Sequence, residues 1–105
     1  MPARLNFGVI GFGRMGQLYA QTVVTQIKDV HLLAVADRNP DLQALAEAEY
    51  SVPHVLPDAN DLLAVPGLDA VIIASPTSAH ADHVIAAAEA GLAIFSEKPL
   101  ALTLA

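Results

Sequence analysis

Three glycines and one carboxylate carry the clearest chemical signal in this chain. Gly11, Gly13 and Gly16 stand in the run Val9-Ile10-Gly11-Phe12-Gly13-Arg14-Met15-Gly16, and Asp37 follows at the end of a second apolar run, 21 positions beyond Gly16. A glycine at 11 permits a tight strand-to-helix turn. One at 13 lets the main chain approach a pyrophosphate, and one at 16 lets the helix lie close to its strand. The first N–H groups of that helix then face the phosphates, with Phe12, Arg14 and Met15 in the same loop. A carboxylate about 20 residues farther on is placed to accept hydrogen bonds from an adenosine ribose. Its charge opposes an added 2′-phosphate and so favours NAD. Arg38, beside it, offers a guanidinium that can stack on adenine or pair with a phosphate, which keeps NADP as the alternative. Glycine loops of this kind also serve adenosylmethionine and flavin nucleotides, so the elements around the loop must decide.

Those elements alternate strand and helix. Leu5 to Ile10 reads as a strand, after which Met15, Leu18, Tyr19, Val23 and Ile27 recur at helical spacing. His31 to Ala36 supplies a second strand, ending just before Asp37. Asn39 and Pro40 open a helix that runs to about Ala48, with Asn as N-cap and Pro in the first turn, where a missing N–H is harmless. His54-Val55-Leu56, flanked by Pro53 and Pro57, predicts a short edge strand. Asp58 to Ala64 predicts a short helix before the Pro66-Gly67 turn. From Ala70 to Ala74 polar alternation is lost, the mark of a central parallel strand covered on both faces. An alanine-rich helix from about Ala79 to Ala90 ends at Gly91, and Leu92 to Ser96 is the fifth strand. With right-handed crossovers the order is 3-2-1-4-5. This is an α/β, Rossmann-type doubly wound parallel sheet, with a ligand crevice beyond the C-terminal strand ends where strands 1 and 4 diverge. Ala101 to Ala105 reads as the opening of a helix, so the sheet stops before a sixth strand. The fifth strand, with Leu92, Ile94 and Phe95, then forms an open edge that predicts self-association.

Composition narrows the class. At 105 residues the chain accommodates one modest core, read as a single domain over 1–105. Apolar residues make up 54% and aromatic ones only 5%, so the core rests on Ala, Val, Leu and Ile, which suits helices packed closely on a parallel sheet. Five Lys and Arg against eleven Asp and Glu give a formal charge of −6, without a basic cluster, which removes the electrostatic footing for nucleic acid. The apolar runs are too short for a membrane span and the N-terminus does not resemble a signal peptide, so a cytoplasmic protein is expected. With no cysteine there is neither disulfide nor thiolate chemistry.

Two later motifs make the reading more specific. Ala74-Ser75-Pro76-Thr77-Ser78-Ala79-His80 follows the fourth strand, and Glu97-Lys98-Pro99-Leu100-Ala101 follows the fifth. Together with the glycine loop and Asp37, this order resembles the N-terminal half of the Gfo/Idh/MocA oxidoreductases, the glucose–fructose oxidoreductase and inositol dehydrogenase family. The resemblance covers essentially the whole chain, and Glu-Lys-Pro in this position is its most specific part. It implies that Ser75, Pro76, Thr77 and His80 line the nicotinamide side of the cofactor crevice. Family members often have Asn where this chain has Thr77, which keeps a hydroxyl and lacks the amide. It further implies that Lys98, with Glu97 beside it, contacts substrate and assists hydride transfer, as an ammonium that stabilises negative charge on the reacting oxygen.

Other readings of these residues are weaker. Thr77 or Ser78 can cap the following helix whatever else they do. His80 and His83 stand at helical spacing without further convergent metal ligands in the sequence, so no metal is expected. Ser75 with His80 lacks the glycine-flanked elbow of a hydrolase nucleophile. The expected function is the NAD(P)-binding part of an oxidoreductase acting on a sugar, polyol or related alcohol–carbonyl pair. The domain is read as incomplete at its C-terminus, with the substrate domain absent. Small-molecule substrate would be engaged only with that second domain, and the short chain is expected to be inactive alone. The alternative is a cofactor-binding module without turnover.

Overall fold

The apolar runs assemble into one sheet. In a computed structural model, which describes residues 5–27, 29–74, 77–96 and 101–103, five strands pair in parallel in the order β3-β2-β1-β4-β5. They are β1 (Leu5–Ile10), β2 (Val30–Ala36), β3 (His54–Leu56), β4 (Ala70–Ile73) and β5 (Ala93–Ser96). Helices α1 (Arg14–Gln26), α2 (Pro40–Tyr50), α3 (Ala59–Leu63) and α4 (Thr77–Glu89) occupy the connections. The anticipated α/β architecture and its strand order are those observed.

The C-terminal segment corrects one expectation. Ala101–Thr103 is a sixth strand, β6, antiparallel to β5 with Phe95 opposite Leu102, and does not open a helix. Three residues cannot hold a helix by themselves. The outer edge of β5 offers a row of backbone groups, and antiparallel return needs only the short connection available, whereas a parallel strand would need a long crossover. β5 is therefore not an open edge, and the argument for self-association through it loses its premise.

Two buried clusters face opposite sides of the sheet. Phe7 and Val9 of β1, with Leu32 and Val35 of β2, pack under Ala20 and Val23 of α1 and Ala46 of α2. Ile10, Ala34, Val71, Ile73 and Ile94 pack under Leu62 of α3 and Ala87 of α4. Leu32 and Val35 share a face because the pairing register slips between Phe7 and Gly8, where β2 carries one extra residue. All four residues of β4 are buried, in keeping with its place between β1 and β5.

Helix α1 departs in one respect from its apolar spacing. Its buried face is Gly16, Ala20 and Val23, whereas Met15, Leu18 and Ile27 are each more than 40% exposed. Small residues let the helix axis approach the sheet, so closeness of approach decides the buried face, and side-chain size does not. The helix termini follow local chemistry. Asn39 Oδ1 accepts the Asp41 N–H at 2.9 Å as the cap of α2. α4 starts at Thr77, so Thr77 and Ser78 are its first residues and do not precede it.

Candidate functional site

At the C-terminal end of β1 the chain turns sharply into α1. Gly11 has φ of 88° and still donates to Ala36 O at 2.8 Å, so the turn begins while the ladder to β2 is intact. That dihedral favours glycine. Gly16 is required for a different reason: a Cβ there would run into the Gly11 carbonyl oxygen and crowd Val9 Cγ1 at 3.3 Å. Gly13 is different again. Its φ of −72° and ψ of −162° suit any residue, and an added Cβ would meet nothing within 4 Å. Among the described residues nothing asks for glycine at 13. The space in front of it is open, at the start of a helix that no side chain caps and whose first turn holds no acid. The early N–H groups of a helix have no intrahelical acceptor, and with the macrodipole they favour an anion.

Asp37 closes the other side of the loop. Its Oδ2 accepts the Phe12 N–H at 2.8 Å and its Oδ1 accepts the Asn39 N–H at 2.9 Å. One carboxylate thus ties the glycine loop to the start of α2, while remaining only half-buried. Two glutamines brace the same region: Gln17 Nε2 donates to Phe12 O at 3.0 Å, and Gln43 Nε2 donates to Asp37 O at 2.7 Å. Neither was anticipated, since a glutamine on a helix has no signature of its own. Phe12, anticipated as part of the loop, contributes only main chain to it. Its ring is fully buried and meets Tyr50 edge-on at 5.0 Å, with the Tyr50 hydroxyl accepting from Gln21 Nε2 at 2.7 Å. Arg14 and Met15 are exposed on the first turn of α1.

Arg38 points along the surface. Its Nε lies 3.2 Å from Asp58 Oδ1, an acid just before α3 that sequence reasoning had treated only as a helix start. The pair borders a cleft of about 480 Å³ between α3 and α4, lined also by Asn60, Asp61, Asp82 and His83. Thr77 and His80 fall in the first turn of α4, which follows β4 at the same end of the sheet. Ser75, Pro76, Glu97 and Lys98 lie outside the described residues. Among the described residues no group of three His, Asp or Glu side chains can hold a metal ion. No described helix is long and apolar enough to cross a membrane.

The Gfo/Idh/MocA family, described as an oxidoreductase family with an NAD-binding Rossmann fold, matches residues 5–105. The chain belongs to this oxidoreductase family. It is 38% identical over 104 residues to scyllo-inositol 2-dehydrogenase (NAD(+)) of Bacillus subtilis, covering 99% of this chain and 30% of that protein. It is 37% identical over 101 residues to myo-inositol 2-dehydrogenase of Thermotoga maritima, covering 96% and 30%. The solved structure of scyllo-inositol dehydrogenase from Lactobacillus casei with bound NAD(H) and scyllo-inositol superposes with a TM-score of 0.84 at 33% identity, covering 91% of this chain and 28% of that one. The chain therefore spans about 30% of the length of the relatives it matches, and what it spans is the NAD-binding Rossmann portion of a Gfo/Idh/MocA oxidoreductase. The open space before Gly13 fits that cofactor, because a pyrophosphate would fill what a Cβ here would obstruct.

Proposed function

We propose that this chain holds NAD across the C-terminal end of β1 and β2 and serves a polyol or sugar dehydrogenase. The observation that carries the proposal is Gly13, a glycine with no strained dihedral and, among the described residues, no neighbour to explain it, at the uncapped start of α1. In this reading the main-chain N–H groups of the Gly11–Gly16 loop, Phe12, Arg14 and Met15 included, receive the pyrophosphate, and the Asp37 carboxylate accepts the adenosine ribose hydroxyls. Arg38 borders the adenine side. Ser75, Pro76, Thr77 and His80 serve the nicotinamide side, and Glu97 and Lys98 the reacting end, as the family resemblance implies.

Bound NAD supplies the acceptor for a substrate hydride. The Lys98 ammonium is the group we assign to the substrate hydroxyl, steadying negative charge on its oxygen. Hydride transfer also requires the substrate carbon to be held near attack geometry with a proton acceptor in reach. We assign that enclosure to a second domain, of which residues 1–105 are the cofactor-binding partner, acting in the cytoplasm. Inositol-type polyols are the favoured substrates, on the strength of the relatives' names.

Titration calorimetry tests the core of the proposal. NADH is expected to bind the folded chain saturably. Failure to bind NADH or NADPH at millimolar concentration would refute it. The chain alone is expected to show no appreciable polyol-dependent reduction of NAD, and a fusion to a relative's second domain is expected to show it.

A further inference from the structure

We infer that Asp58 is a cofactor-specificity residue, which pairs with Arg38 and so withholds that guanidinium from the 2′-phosphate of NADP. The inference rests on the nucleotide reading above and sharpens it. An arginine directly after the ribose carboxylate is, taken alone, ambiguous: such a guanidinium is a usual means of accommodating a 2′-phosphate. The fold resolves the ambiguity. β3 lies beside β2 and ends at Leu56, whose carbonyl accepts the Asp37 N–H at 3.0 Å. Two residues later Asp58 comes alongside Arg38, and Arg38 Nε approaches Asp58 Oδ1 at 3.2 Å. The guanidinium thus has a resident carboxylate partner where a phosphate would otherwise be its strongest one.

The rest of the cleft acts in the same direction. Asp61 of α3 and Asp82 of α4 line it with Asp58 and Arg38, so the described lining carries three carboxylates and one guanidinium. A dianionic phosphate added near Asp37 would meet repulsion from these carboxylates and find the Arg38 guanidinium already paired. The size of the effect follows from exposure. With side chains 88% and 48% exposed, the Arg38–Asp58 pair is solvent-screened, and such pairs change an equilibrium by about fivefold at most. Asp58 is therefore a bias added to the larger one from Asp37.

The full chain with Asp58→Asn provides the test. The substitution keeps the side-chain shape, and since Asp58 makes no side-chain cap to α3, no helix cap is lost. NADH and NADPH are titrated separately by cofactor fluorescence. NADPH affinity is expected to rise about fivefold and NADH affinity to stay within about twofold. In Asp58→Asn combined with Arg38→Ala, NADPH affinity is expected to fall back to the wild-type value, since the gain requires the freed guanidinium. Asp58→Ser gives the same readout should the asparagine variant fail to fold. An unchanged NADPH affinity in a variant that still binds NADH overturns the inference and leaves the proposed function standing. A gain that persists without Arg38 overturns it too, by assigning the effect to bulk charge. If the wild-type chain binds neither cofactor, the proposed function falls and the inference with it.

Discussion

The two ends of the sheet use the same bond for opposite purposes. At the N-terminal end Asp69 Oδ2 accepts the Asn6 N–H at 2.8 Å, just as Asp37 Oδ2 accepts the Phe12 N–H at 2.8 Å at the C-terminal end. Below, the same two residues are tied further into the chain. Asn6 Nδ2 donates to Gly67 O at 3.0 Å, and the Asp69 N–H returns to Asn6 O at 2.8 Å. Above, the bonds stop short of closure: Asp37 spans two amides, but α1 starts without a side-chain cap and Gly13 faces open space. An end tied in this way is a fastening. In the reading proposed above, the end with the uncapped helix start and the half-buried carboxylate receives the cofactor.

The strongest way to break this comparison is to disturb the glycine that serves structure at the functional end. Gly16→Ala is expected to destabilise the fold by about 3 kcal/mol, because the new Cβ meets a backbone carbonyl that cannot turn aside. Urea unfolding measures it, and a loss below 1 kcal/mol would mean that α1 lifts off its strand freely.

Gly13→Val is the complementary case. Its backbone already suits valine, so stability should change by less than about 1 kcal/mol. NADH affinity should drop by about 2 kcal/mol, the worth of main-chain bonds to a charged group that the side chain would block. Binding preserved by a folded Gly13→Val protein would place the pyrophosphate elsewhere.

Asp37→Ala removes the ribose acceptor and is expected to weaken NADH by about 1.5 kcal/mol while NADPH, relieved of a repulsion, gains relative to it. An unchanged NADH to NADPH ratio in parallel titrations would show that Asp37 serves only Phe12 and Asn39. The smallest effect belongs to the closed end. Asp69→Ala is expected to cost about 1 kcal/mol of stability and leave NADH affinity as it was, so a fall in affinity on calorimetry would erase the distinction between the ends.

Much of the fold was legible because local signals agreed. Asn39-Pro40 marks a helix start by capping chemistry, Gly91 with φ of 78° marks a helix end, and the unbroken apolar run into β4 marks a central strand. What was missed depended on neighbours distant in the chain. The exposure of Leu18 at 51% follows from how closely Gly16 lets α1 approach. The strand at Ala101–Thr103 exists because β5 offers it an edge. Phe12 looked like a loop residue, and its ring turned inward because Tyr50 of α2 waits there.

From the linear chain alone came the strand order, the glycine loop, its carboxylate and the family they resemble, since these rest on spacing along one segment and on turn geometry that favours glycine. The tertiary structure decided what spacing cannot express. It separated the glycine that keeps α1 on the sheet from the glycine that faces open space, although both are one letter of one motif. It brought Asp58 across from β3 to Arg38, 20 positions away in sequence, and so turned an ambiguous arginine into a paired one. The physical reason is that a motif records which backbone shapes are permitted, whereas whether a group is free depends on what the fold sets beside it.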